Sequence, residues 1–179
     1  MPAAVVLTTP ARRGLRSYPP HLLPLLGGIL ALAAAMGIGR FAYTPLLPAM
    51  QQAAGLDPTQ AGLLAAANYA GYLVGALLAA FAVPAAGRTR ILLVSAVGVA
   101  ATTAMMATTT DLAAWSVVRF IAGLASAGVL VLASGLVLDD LRRQGRASLS
   151  SWLFSGVGLA IACSVFPVCV SPHSVLSPL

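Results

Sequence analysis

The run QAGLLAAANYAGYLVGALLAAFAV, Gln60–Val83, contains no charged residue. An α-helix needs about 20 apolar residues to cross roughly 30 Å of hydrocarbon, so this run predicts a transmembrane helix. The rest of the chain has the same character, with 59% hydrophobic and only 8% charged residues. Soluble domains carry about 25% charged residues. The sequence therefore predicts an integral membrane protein and excludes the soluble globular class.

Five apolar runs divide the chain, and charged or helix-breaking residues occupy the short connections between them. The first run is longer than the roughly 7–15 apolar residues of a signal peptide, so we expect a retained span. The predicted fold class is all-α, a polytopic membrane helix bundle of about five transmembrane helices. The predicted spans are 22–49, 60–83, 91–109, 112–138 and 147–170, after a lead at 1–21 and before a tail at 171–179.

The positions of the arginines predict how the helices are oriented. With a cytoplasmic N-terminus, the loops that face outside hold Asp57 and Asp111 but no arginine. Because cytoplasmic loops of membrane proteins are rich in arginine, we expect a cytoplasmic lead and an extracytoplasmic tail. We expect a multi-pass protein of the plasma membrane, the bacterial inner membrane, and no nucleic-acid partner. The eight arginines on the predicted cytoplasmic side are Arg12, Arg13, Arg16, Arg88, Arg90, Arg142, Arg143 and Arg146.

Small residues four positions apart predict close contacts between helices. Membrane helices lack a hydrophobic driving force for association and instead approach each other through small residues. The second run carries Gly71 and Gly75 at this spacing, and the fourth carries Gly123 and Ala127. We expect these four residues at helix–helix contacts. Such contacts are common in polytopic proteins and do not by themselves indicate a function.

Three segments carry a family resemblance: GIGRFAYTPLLPAM, QAGLLAAANYAGYLVGALLA and VVRFIAGLASAGVLV. They resemble the first, second and fourth helices of a major facilitator superfamily transporter, and they are most similar to its YbfB/YjiJ-type branch. The segment GRTR, with Gly87, Arg88 and Arg90, resembles the tail of that superfamily's cytoplasmic loop between helices two and three. The Asp that usually precedes these basic residues in the superfamily is absent from AVPAAGRTR.

The resemblance also implies how much of a transporter this chain represents. Such transporters consist of two halves of six helices each, and five predicted spans amount to less than one half. We expect a truncated, frame-shifted or fragment chain that corresponds to the N-terminal part of a transporter. Its partner would be the missing C-terminal half or a second copy of the chain. The alternative is a genuine small protein that dimerises.

Two arginines, Arg40 and Arg119, fall inside predicted spans. At the rise of an α-helix, Arg40 lies about 13 Å and Arg119 about 10 Å from the outer ends of their spans. No Asp or Glu lies within a predicted span, and a charge inside the bilayer costs on the order of 3 kcal/mol. The resemblance implies that both helices border a central cavity, so we predict that Arg40 and Arg119 bind an anionic or polar solute. The alternative is snorkelling of both side chains to the outer headgroups.

Asn68 and Tyr72 are two further candidate substrate-binding residues. They share one face of the second span, because they are four residues apart. An asparagine in hydrocarbon must find a hydrogen-bond partner, so this face is expected to meet another helix or a cavity. The alternatives for Tyr72 are helix packing and a place in the aromatic belt at the membrane surface.

The remaining residues bear on the class of function. No HExxH motif and no converging Ser, His and Asp lie at membrane depth, so we expect no enzyme activity. Cys163 and Cys169 have no metal-binding spacing with His, and we expect neither a metal nor a cofactor. The predicted function is secondary active or facilitated transport of a small, anionic or polar solute, with the lipid bilayer and the solute as partners. The alternative is a non-transporting structural or assembly membrane protein, or an inert truncated product.

Overall fold

The computed structural model describes residues 22–41, 43, 47, 51–52, 54–109 and 111–170, without the side chains of Ile38 and residues 165–170. The secondary structure of this part is helical throughout, with no strand. Five of its helices are long and apolar enough to cross a membrane, which confirms the predicted all-α bundle. The predicted lead at 1–21, with three of the arginines used to predict the orientation, and the predicted tail at 171–179 lie outside the described residues.

The helices are α1, Leu22–Leu32, which continues as a π-helical segment at Ala33–Phe41; α2, Pro58–Phe81; α3, Arg88–Met105; α4, Leu112–Arg143; and α5, Ser150–Val170. Short connections join α2 to α3, α3 to α4 and α4 to α5, whereas 16 residues separate the end of α1 at Phe41 from the start of α2 at Pro58. A short 3-10 turn precedes α3 at Ala85–Gly87, and another precedes α5 at Ala147–Leu149.

Aspartates fix the starts of α2 and α4. The Asp57 carboxylate accepts a hydrogen bond from the Gln60 backbone N–H at 2.8 Å, and the Gln60 side chain accepts one from the Asp57 backbone N–H at 3.1 Å. Asp111 accepts one from the Ala114 backbone N–H at 2.7 Å. These bonds satisfy amide groups that a helix start leaves unpaired. Both carboxylates are therefore committed to helix capping.

Helix α4 continues five residues beyond the apolar run that predicts its end at residue 138. It has 32 residues and is about 48 Å long, more than the roughly 30 Å of hydrocarbon. Gly145 follows it with a φ of 66°, a left-handed conformation that glycine adopts at low cost and that commonly ends a helix. The extra turn carries Arg142 and Arg143.

Helix α4 lies at the centre of the bundle, and the other helices pack around it. One apolar cluster joins it to α1 and α5 through Leu32, Val137 and Leu153. A second joins it to α1 and α3 through Ala35, Val99 and Val129. The outward faces of the other helices expose large apolar side chains, as expected where lipid replaces water. They include Leu23, Leu73, Phe81, Leu93, Trp152 and Leu159.

Helices α2 and α4 cross at glycines, where their backbones come very close. A Cβ atom added to Gly71 would collide with the Phe120 carbonyl of α4, and one added to Gly75 would lie 2.5 Å from the Leu124 carbonyl oxygen. Conversely, a Cβ atom on Gly123 would collide with the Asn68 carbonyl of α2. No side chain fits at these three positions without moving a backbone. This close contact determines the relative positions of Asn68 on α2 and Arg119 on α4, which are hydrogen-bonded to each other.

Candidate functional site

A cleft of about 400 Å³ opens between α1, α2 and the first part of α4. We call it the arginine cleft. Its wall combines two cations with aromatic and amide side chains and with small apolar residues of α2. The arginine, aromatic and asparagine residues of the wall are Arg40, Phe41, Tyr43, Asn68, Tyr69 and Arg119. The structure thus brings together Arg40, Arg119 and Asn68, which the sequence singles out as substrate-binding residues.

Arg40 lies at the end of the π-helical segment and is half-buried. Its guanidinium carbon lies 4.0 Å from the ring centre of Tyr72 and 4.9 Å from that of Tyr69. Both distances are within the range of cation–π attraction. Tyr72 does not line the cleft itself, and it contributes to the site by packing against the Arg40 guanidinium. Since aromatic rings stack on the flat faces of a guanidinium, the N–H donors at its edge are available to another group.

Arg119 lies deeper than Arg40, with only 6% of the residue exposed. Its guanidinium carbon lies 4.1 Å from the ring centre of Tyr43. Its Nε atom is buried and has no hydrogen-bond partner among the described residues. A buried polar group is nearly always hydrogen-bonded, and an unpaired one in a charged group is costly. Arg119 is therefore a buried cation whose hydrogen-bonding capacity is incompletely used.

Asn68 connects the two helices that carry this arrangement. Its side-chain Nδ2 donates a hydrogen bond of 2.9 Å to the backbone carbonyl of Arg119, and the residue is 3% exposed. The bond crosses from α2 to α4 one turn from the close contact at Gly123. Asn68 thereby holds the backbone of Arg119 against α2. No described residue donates a hydrogen bond to the Asn68 side-chain oxygen, which can therefore act as an acceptor at the wall of the cleft.

The π-helical segment at Ala33–Phe41 carries Arg40 into this position. π-helical turns are rare and often occur at functional sites, because they change the direction of the side chains that follow. The segment contains two glycines that allow close approach of other helices. A Cβ atom on Gly37 would collide with Ala160 of α5, and one on Gly39 would collide with Val99 of α3. The glycines thus seat the end of α1 against two neighbours.

The remaining predicted residues lie away from the cleft. Gly87 closes the 3-10 turn before α3, and Arg88, the first residue of α3, lies 3.9 Å from the Asp139 carboxylate of α4. Because both side chains are partly exposed, this ion pair contributes at most about 1 kcal/mol. Arg90 is exposed, and Ala127 is fully buried within α4. The loop motif therefore lies at the end of the bundle opposite the cleft.

Tyr43 is the main site residue that sequence reasoning missed. Its ring stacks on Arg119, and its hydroxyl donates a hydrogen bond of 3.3 Å to the Ala61 carbonyl of α2. The sequence offers one signal, an aromatic residue three positions after Arg40 in RFAY. The partner of that ring is an arginine on a different helix, and such a pairing follows only from the tertiary fold. Within the described residues, no three His, Cys, Asp or Glu side chains cluster as metal ligands.

The sequence of the chain matches a family model over most of its length. The family model described as "Uncharacterised MFS-type transporter YbfB" matches residues 32–178. The match covers α2 to α5 and the π-helical segment of α1, including every described residue that lines the arginine cleft. No curated protein and no solved structure matches the chain. The chain belongs to the YbfB-type family of major facilitator superfamily transporters.

Proposed function

We propose that the arginine cleft binds a small anionic solute, and that the chain contributes this cleft to a carrier that moves the solute across the membrane. The observation that carries the proposal is the buried guanidinium of Arg119, which shares the cleft with a second arginine. Among the described residues of the cleft wall, none is an Asp or Glu. The lack of a negative charge among these residues supports an anionic ligand as the counter-charge of the two arginines.

The cost of burying a cation supports a ligand-binding role for Arg119. A buried charge without a partner costs several kcal/mol, and a fold retains such a group where it faces water, a partner or a ligand. Snorkelling fits Arg119 poorly, because the guanidinium stacks on Tyr43 and the residue is almost fully buried. An arginine also matches a carboxylate well, since its planar fork donates two parallel hydrogen bonds.

The complete carrier, on this proposal, needs more helices than this chain supplies. Transporters of this superfamily place their binding site between two halves. The arginine cleft is open on one side and would be closed by a C-terminal half or by a second copy of the chain. The chain lies in the bacterial inner membrane with its N-terminus in the cytoplasm, so the cleft lies in the outer half of the bilayer.

Reporter fusions test this orientation. Alkaline phosphatase, which folds only outside the cytoplasm, should be active when fused after Val170 and inactive when fused after Gly145, because α5 separates the two positions. Green fluorescent protein at the same two positions should give the opposite pattern, which controls for expression. If the phosphatase is active after Gly145 and the fluorescent protein is fluorescent after Val170, the chain has the opposite orientation and the proposal is contradicted.

The substitution Arg40→Lys tests anion binding by the cleft. Lysine keeps the positive charge but loses the planar pair of donors. Since a hydrogen bond to a charged group is worth about 1.5–3 kcal/mol, we expect the Kd for a bound carboxylate to rise about tenfold or more. Equilibrium dialysis of radiolabelled succinate and butyrate against the full chain in lipid nanodiscs measures the Kd.

A matched control for this experiment is Arg90→Lys. Arg90 is an exposed arginine at the opposite end of the bundle, so its replacement should leave the Kd unchanged. Empty nanodiscs give the background, and circular dichroism checks that each variant is folded. Equal Kd values for the wild type and Arg40→Lys would exclude a bidentate role for Arg40. Failure of the wild type to bind either carboxylate would contradict the proposed function and favour an inert or purely structural chain.

A further inference from the structure

We infer that the solute carries two anionic groups, and that its class is a small dicarboxylate. The inference rests on the proposed function and narrows it to one class of substrate. It follows from the number of cations in the cleft, from the way each is held, and from the apolar surface beside them.

The two positive charges of the cleft favour a ligand with two negative charges. Arg40 and Arg119 both line it, and no carboxylate lines it among the described residues. The aspartates that begin α2 and α4 accept hydrogen bonds from the backbone as helix caps, and both are exposed. A monoanion in the cleft would compensate one arginine and leave the other without a counter-charge. A dianion compensates both.

Each arginine is held by its own aromatic support. Arg40 stacks on Tyr72 and Tyr69 of α2, whereas Arg119 stacks on Tyr43. The supports fix the faces of the two guanidinium groups and leave edge donors for a ligand. Arg119 lines the cleft, and its buried Nε atom has no hydrogen-bond partner among the described residues, so no protein acceptor compensates this part of the cation. The site therefore presents two separately anchored anion-binding groups, one half-buried and one buried.

The rest of the wall fits a carbon skeleton. Leu47, Ala61 and Ala65 line the cleft beside the arginines, together with the Phe41 ring. At about 400 Å³ the cleft is at the small end of the range for ligand pockets, roughly 300–1,000 Å³. An inorganic dianion such as sulfate carries the charge but leaves the apolar wall without a partner. A short dicarboxylate places one carboxylate at each arginine and its methylene groups against the apolar residues.

A panel of ligands of matched size tests the inference on the full chain in nanodiscs. The probes are succinate, with two carboxylates; butyrate, with the same number of carbons and one carboxylate; and sulfate, a dianion without a carbon chain. Equilibrium dialysis gives the Kd of each. Because the second carboxylate gains charge-assisted hydrogen bonds, we expect succinate to bind at least about tenfold more tightly than butyrate. Sulfate should also bind more weakly than succinate.

The variant Arg40→Gln identifies the origin of this preference. Glutamine removes one cation, so the ratio of the butyrate Kd to the succinate Kd should fall towards one. The wild-type panel needs no variant and decides the inference even if Arg40→Gln does not fold. Equal affinities for succinate and butyrate, or tighter binding of sulfate than of succinate, would overturn the dicarboxylate class while leaving anion binding intact. Absence of binding by all three probes would overturn the proposed function as well.

Discussion

Gly123→Ala should strongly destabilise the bundle, although it adds a single methyl group. A Cβ atom at this position would collide with the Asn68 carbonyl and lie 2.9 Å from the Tyr72 backbone nitrogen. Both obstacles are backbone atoms of α2, so they cannot be relieved by a side-chain rotation. The helices must separate, and overpacking of this kind typically costs about 1–3 kcal/mol, occasionally more. We expect a loss at the upper end of this range.

The consequences should extend to the cleft, because the same crossing carries the hydrogen bond from Asn68 to the Arg119 carbonyl. Separation of α2 from α4 stretches or breaks this bond and leaves a buried amide unpaired, at a further cost of about 1–3 kcal/mol. Unfolding in mixed micelles by titration with sodium dodecyl sulfate, followed by circular dichroism, measures the change in the free energy of unfolding.

Gly135→Ala is the matched control on the same helix. A Cβ atom there meets nothing within 4 Å, and alanine has a higher helix propensity than glycine by about 1 kcal/mol. This variant should be as stable as the wild type or slightly more stable. If Gly123→Ala unfolds at the same detergent fraction as Gly135→Ala, the described contact between α2 and α4 is wrong.

The transmembrane helices were predictable from sequence because lipid imposes a simple rule. A segment such as Gln60–Val83 has no alternative to a helix when its backbone must satisfy its own hydrogen bonds in hydrocarbon. The same rule does not give helix length. Hydropathy predicts an end near Leu138, whereas the hydrogen-bonded helix continues to Arg143.

The candidate site was predictable only in part. A charge in an apolar run is visible in the sequence, and Arg40 and Arg119 are two such charges that line one cleft. Their surroundings were not predictable, because the partners come from other helices. Asn68 donates a hydrogen bond to a carbonyl 51 residues away, and the Tyr43 ring lies against Arg119 of α4. The π-helical segment was likewise missed, since its residues, AAAMGIGRF, are equally compatible with an α-helix.

The central claim is that small organic anions occupy the arginine cleft, and thiol labelling at Ala65 tests it directly. Ala65 lines the cleft and has no polar atom in its side chain, so Ala65→Cys places a reporter in the wall without removing a proposed ligand-binding group. The background carries Cys163→Ala and Cys169→Ala, which removes both native thiols. Thr59→Cys, an exposed position at the start of α2, serves as the control for access of the reagent.

The measurement is the rate at which a small, membrane-impermeant thiol reagent labels each cysteine in nanodiscs, with and without succinate or butyrate. We predict that Ala65→Cys is labelled, and that a carboxylate at ten times its Kd slows this labelling about tenfold by occupying the cleft. Labelling of Thr59→Cys should not change, and adding Arg40→Gln should weaken the protection at Ala65→Cys. If the labelling rate at Ala65→Cys is the same with and without both carboxylates, the cleft does not bind small carboxylates and the account is contradicted.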